Sequence, residues 1–175
     1  MAIGRRNPRG PVRTRRSGNL RYTVDASVFI NAFNPHEPGH AASLAILAAI
    51  QEGGDPVIVP TLLLPEMASA VARASHDGAG ALEYATATAA LPHLSLVALT
   101  STTARQAAEL AATHRLRGAD AVYVMVARRY GTTLVSRDDE QRSRGSVVVV
   151  CQTPEEALSH RQTIERTRRS RVKKP

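Results

Sequence analysis

Tryptophan is absent from the 175-residue chain, and only two phenylalanines and four tyrosines are present. An aromatic platform on which bases stack is therefore a poor basis for nucleic-acid binding. Cysteine occurs once, as Cys151, so no intrachain disulfide can form. A reducing compartment, most simply the cytoplasm, is expected. Because Cys151 ends the run VVVVC with no CxxC partner, it reads as a buried structural thiol. No apolar stretch approaches the roughly 20 residues that span a bilayer, and no signal-like apolar region follows the basic amino-terminal segment. No membrane association is expected.

Lysine is missing everywhere except Lys173 and Lys174, and the remaining charge is divided along the chain. Residues 1–21 hold seven arginines and no acid, whereas residues 22–158 hold nine arginines against fourteen acids. Residues 159–175 return to net positive charge, with five arginines and two lysines against Glu165. An acidic body thus carries two basic tails. The first tail, with Pro8, Pro11, Gly4, Gly10 and Gly18 and little to bury, is expected to be disordered. The second is compatible with helix or with loose chain. Either suits contact with nucleic-acid phosphates, which carries affinity but no sequence information.

The body is long enough for one compact domain, expected at 22–158. Short apolar runs bounded by turn signals at 22–24, 57–59, 94–99, 133–135 and 147–150 read as buried strands. Between them, Ala- and Leu-rich segments predict helices at about 27–33, 38–51, 61–75, 79–91, 103–114 and 119–130, the last ended by Gly131. Strand and helix alternate. The implied fold is a three-layer α/β/α domain around a mainly parallel sheet.

Four carboxylates stand where such runs meet helix starts or turns: Asp25 in YTVDASVF, Glu66 in LLLPEMASA, Asp120 in LRGADAVY and Asp138 in LVSRDDEQ. In an open parallel sheet, ligands gather beyond the carboxyl ends of the strands. All four acids can face that rim. Two like charges about 4 Å apart cost on the order of 4 kcal/mol at an effective dielectric of about 20. A divalent cation removes that cost, and an all-oxygen ligand set suits Mg²⁺ or Mn²⁺. Taken singly, Asp25 is a helix cap, Glu66 and Asp120 are first-turn acids, and Asp138 is part of a solvated charge run. Their conjunction points to phosphate chemistry at a metal site.

The segments VDASVFINAF, LLLPEMASAVAR, RGADAVYVMVAR and TLVSRDDEQ resemble, in order and spacing, the four acidic motifs of the PIN domain, and specifically of toxin nucleases from VapBC-type toxin–antitoxin pairs. The resemblance covers residues 22–158 and leaves both tails outside. It implies that Asp25, Glu66, Asp120 and Asp138 form a catalytic pocket for Mg²⁺ or Mn²⁺. Ser27 and Ser136 would position a carboxylate or water. Arg115, Arg117 and Arg137 lie close in sequence to Asp120 and Asp138 and are candidates to hold RNA phosphates, although a solvated surface arginine is the simpler reading of each taken singly. Asp139 is a neighbouring candidate for the role of Asp138. The implied activity is endoribonuclease action on RNA, with a cognate antitoxin protein and a second copy of the chain as partners. The helices near 61–90 are the expected dimer interface.

Other phosphate-handling folds fit less well. A phosphoacceptor receiver domain needs a lysine near its last strands, and none is there. A haloacid-dehalogenase-type phosphatase needs an acid at position 27, which is Ser27. A dinucleotide fold needs a glycine-rich turn where DASVF stands. His36 and His40 flank Pro38 and Gly39 and have no cysteine nearby, which argues against zinc. The competing reading from another class is a non-catalytic PIN-like module that binds RNA or protein.

Overall fold

The structure, a computed structural model, describes residues 20–172. The expected disorder of residues 1–21 lies almost wholly outside the described residues. Five strands, β1 (Tyr22–Val24), β2 (Val57–Pro60), β3 (Leu94–Val97), β4 (Thr133–Val135) and β5 (Cys151–Gln152), form one sheet. Their order is β3-β2-β1-β4-β5 and every pairing is parallel. Eight helices among the described residues accompany them: α1 (Ala26–Phe33), α2 (His40–Gly53), α3 (Leu63–Ser75), α4 (Gly78–Ala89), α5 (Ser101–His114), α6 (Gly118–Tyr130), α7 (Asp139–Gly145) and α8 (Pro154–Val172). The architecture is the three-layer α/β/α arrangement expected from the alternation.

The central strand β1 is buried throughout. Its Thr23 hydroxyl is satisfied by donating to the Ile58 carbonyl at 2.8 Å and by a 2.6 Å contact with the Thr132 hydroxyl, whereas the buried Tyr22 hydroxyl has no partner. Helix α6 is buried from Ala121 to Ala127 without a break, because it packs on β1, β2 and β4 and is covered by α5. A helix apolar on every side must be enclosed in this way. Gly131 ends it with φ of 62°, a left-handed conformation that glycine adopts without steric cost.

Two expectations change at the carboxyl-terminal side. The run 147–150 is not the last strand. Val148 and Val149 instead donate to the Gly145 carbonyl in a turn, Val147 and Val150 are exposed, and pairing with β4 begins at Cys151. Cys151, expected to be buried, is only half-buried on this edge strand. The carboxyl-terminal segment left open between helix and loose chain is helical through Val172. Its start is a capping box: Thr153 Oγ1 accepts from the Glu156 N–H at 3.2 Å, and Glu156 Oε2 accepts from the Thr153 N–H at 2.9 Å.

Candidate active site

Strand β1 ends at Val24 and β4 at Val135, paired neighbours in the sheet. Asp25 and Asp138 therefore leave the same rim, with the Asp25 N–H donating to the Val135 carbonyl at 2.9 Å. The strand order reverses between these two strands, which opens a crevice at this point. Glu66, in the first turn of α3, and Asp120, in the first turn of α6, reach the crevice from either side. All four carboxylates line one open cleft of about 560 Å³. Another cleft, about 290 Å³, lies by Gln106, Glu109 and Arg128 and gathers no such acids.

Each acid is held in its own way. Asp25, only 8% exposed, caps α1 by accepting the Ser27 N–H on Oδ2 at 2.8 Å and takes the Gln141 side-chain amide on Oδ1 at 3.2 Å. Glu66 Oε2 accepts from the buried Tyr123 hydroxyl at 2.7 Å. Asp138 caps α7 through its Oδ1 and the Gln141 N–H at 2.8 Å, while its Oδ2 meets Arg117 at 3.2 Å. Asp120 Oδ2 is buried and has no hydrogen-bond partner. It is the one buried carboxylate oxygen of the four acids left unsatisfied.

The acids perturb one another. Burial raises Asp120 to about 6 from the usual carboxylate range, and the charges of Asp138 and Asp25 push the same way against Arg117. Burial likewise raises Asp25 and Glu66; Ser27 and Gln141 oppose it at Asp25, and the Tyr123 hydroxyl opposes it at Glu66. Asp138 adds to the rise of Asp25, and Asp25 and Asp120 to that of Glu66. Tyr123 is itself raised by burial and by the charges of Asp25 and Glu66. The four form one electrostatic unit.

The donor set suits a hard divalent ion: oxygens only, net negative, with a buried Asp120 oxygen lacking a partner. Yet among the described residues no group of three or more His, Cys, Asp and Glu side chains is drawn close enough to hold a metal as it stands. Four carboxylates facing one cleft repel one another, and a divalent cation would offset that cost. The chemistry of the donors fits; the spacing is open.

A PIN domain family model matches residues 22–146, most of the folded body. The chain belongs to the PIN domain family. No curated protein matches it. Among solved structures, this PIN domain is similar to VapC20 of Mycobacterium tuberculosis, a sarcin-ricin loop cleaving toxin, at 19% identity and a TM-score of 0.61, covering 71% of this chain and 95% of that one. VapBC2 of Rickettsia felis, bound to a fragment of its promoter DNA, is 13% identical with a TM-score of 0.59, covering 77% and 98%. PAE2754 of Pyrobaculum aerophilum is 20% identical with a TM-score of 0.58, covering 81% and 96%. These likenesses are of fold.

Within this PIN domain the remaining candidates are spread out. Ser27 lines the cleft, and its hydroxyl accepts the Arg137 N–H at 3.1 Å; the Ser136 hydroxyl accepts the Asp138 N–H at 3.0 Å. Both serines thus tie the β4–α7 turn in place. Arg117 bridges Asp138 and Glu140, the latter at 2.8 Å. Arg137 instead lies against Gly39 and pairs with Glu155 at 3.4 Å, and Arg115 does not line the cleft. Asp139 points outward to Arg142, so Asp138 is the acid of this turn that lines the cleft.

Three residues of the site escaped sequence reasoning. Gln141 and Tyr123 stand in a charge run and an apolar run, with no local sign of a polar task. Arg73 was legible in principle. It follows Glu66 by seven residues on α3, and Glu66, Ser69, Ala70 and Arg73 form one helical stripe along the cleft wall.

Proposed function

We propose that this PIN domain is a metal-dependent endoribonuclease, the toxin of a type II toxin–antitoxin pair. The convergence of Asp25, Glu66, Asp120 and Asp138 on one open cleft carries the reading. When bound to these four carboxylates, Mg²⁺ or Mn²⁺ would supply a Lewis acid and an activated water for phosphodiester hydrolysis. Hydrolysis of the P–O3′ bond leaves a 5′-phosphate, and the departing oxygen takes a proton to become a 3′-hydroxyl. The chain's own residues orient this chemistry. Tyr123 and Gln141 fix the directions of Glu66 and Asp25, and Ser27 and Ser136 hold the turn that carries Asp138. Arg73, on the cleft wall, is placed to meet an RNA phosphate, and Arg117 balances the charge of Asp138.

An antitoxin suits the same cleft, since a cationic side chain inserted among the acids would lower their repulsion. The family resemblance also supports a homodimer through α3 and α4, where Leu82 is 62% exposed. Among the described residues no helix is long and apolar enough to cross a membrane. The open spacing of the acids favours a second reading, a PIN module that binds RNA or protein without cutting it.

One experiment separates the two readings. Purified, partner-free protein is incubated with a mixed RNA pool and Mn²⁺ or Mg²⁺, beside Asp25→Asn and Asp120→Asn. Metal-dependent cutting lost in both variants is expected. A folded wild type that binds RNA and leaves it intact would instead select the non-catalytic module.

A further inference from the structure

Helix α8 begins at the carboxylate rim and runs away from it. Near its start Glu155 meets Arg137, which follows β4. Two turns on, Arg161 reaches Asp55, in the loop that enters β2 at the opposite end of the sheet, with Nε–Oδ2 at 2.9 Å. Both partners are nearly enclosed: Arg161 is 7% and Asp55 8% exposed. The site is built for this pair. Gly53 leaves room for the guanidinium, where a Cβ would collide with Arg161 Nη2, and Glu165 also meets Arg161.

Beyond Glu165 the helix leaves the fold. Arg166, Thr167, Arg168 and Ser170 are all exposed, and the helix continues to Val172, about 10 Å further along its axis. The sequence there, RTRRSRVKK, contains no acid. The chain also enters β1 at this end, where the Arg21 carbonyl accepts the Thr133 N–H at 3.0 Å. The family match ends at residue 146, before α8. Among the described residues, the exposed Arg166 and Arg168 thus lie toward one end of the sheet and the acidic cleft at the other.

We infer that the end of α8 is an RNA-phosphate anchor at the pole opposite the acidic cleft. The inference rests on the ribonuclease reading for its choice of polyanion. A body with fourteen acids against nine arginines repels RNA, most strongly at the cleft itself, so capture needs cations elsewhere. Exposed arginines on a helix fixed to the core supply them without touching the cleft. Contacts of this kind add affinity and speed of encounter, and leave the choice of cleavage sequence to the cleft.

The test uses full-length protein carrying Asp25→Asn, without divalent metal, so that binding is read apart from cleavage. A fluorescent, mixed-sequence single-stranded RNA is titrated by anisotropy across a range of KCl concentrations. The comparison is the same protein with Arg166, Arg168, Arg169 and Arg171 all changed to Gln. Four lost phosphate contacts should make the slope of log K against log salt shallower by about 3, with at least a tenfold weaker Kd at about 0.1 M salt. A second pair with residues 2–19 deleted prevents the other tail from masking the change. Equal slopes and equal affinities in both pairs would overturn the anchor. So would binding of phosphatidylserine vesicles that the four changes abolish while RNA binding stays intact. If the slope shifts but active protein never cuts RNA, the anchor stands and the nuclease reading falls. If the protein cuts RNA and the slope is unchanged, the nuclease reading stands and the anchor falls.

Discussion

Gln141 donates its side-chain amide to Asp25 Oδ1 at 3.2 Å, across 116 residues of chain, from a fully buried position. Its backbone N–H is at the same time bound by Asp138 Oδ1 at 2.8 Å. One residue therefore fixes the first and the last of the four acids. Gln141→Leu keeps much of the volume and removes only the side-chain link. Its Oε1 already lacks a partner, so the loss of stability should be small, about 1 kcal/mol by urea unfolding. Mn²⁺ affinity measured by calorimetry should fall by about tenfold or more, as for other groups that orient metal ligands. An unchanged Mn²⁺ affinity would remove Gln141 from the site.

Asp120 links the cleft to pH. Its carboxyl titrates at about 6 in the folded protein against 3.8 ordinarily. A raised carboxyl favours the folded state while protonated, so this contribution is complete below about pH 4 and is lost as pH rises through about 6. Asp25 and Glu66 are raised too and add in the same direction. Metal-free protein should lose stability across this window. Asp120→Asn should flatten the loss and be more stable at pH 7, by about 1–2 kcal/mol after allowance for solvent screening. Mg²⁺ or Mn²⁺ at about 100 times its Kd should restore about 2.7 kcal/mol to the wild type. Superimposable pH profiles for wild type and variant, measured by chemical unfolding, would refute this account.

The buried Asp55–Arg161 pair makes α8 part of the fold. Arg161 keeps Glu165 when Asp55 is removed, whereas no other cation of the described residues pairs with Asp55, so Arg161→Met should cost about 3–5 kcal/mol and Asp55→Ala less. Changing both, Asp55→Ala with Arg161→Met, should recover much of that loss. Urea unfolding of the two single variants and the double completes the cycle. Additive losses would show that the two residues act independently.

Strand and helix order was legible because burial leaves a period in the sequence, and four of the five strands lie on the apolar runs that announced them. The fifth was displaced because a valine run favours a strand by propensity, whereas here Val148 and Val149 pack on the core from a turn and pairing begins at Cys151. Helix α7, with the sequence DEQRSRG, carries no apolar stripe, and its cap is a residue that lines the cleft. The start of α8 was written in Thr153 and Glu156, a capping signature that stands apart from any apolar period.

The sequence by itself determined the α/β alternation, the placing of Asp25 and Asp138 at strand ends, and the division of charge between body and tails. These follow from local rules: an apolar run seeks burial, and the ends of parallel strands share a rim. Only the tertiary structure decided that Glu66 would be held by Tyr123, 57 residues away, and Asp25 by Gln141. It also turned Arg73 toward the cleft and Arg137 away, and set the basic end of α8 at the opposite pole. Such partnerships depend on how whole elements lie against one another, and a periodicity records only which side of each element is buried.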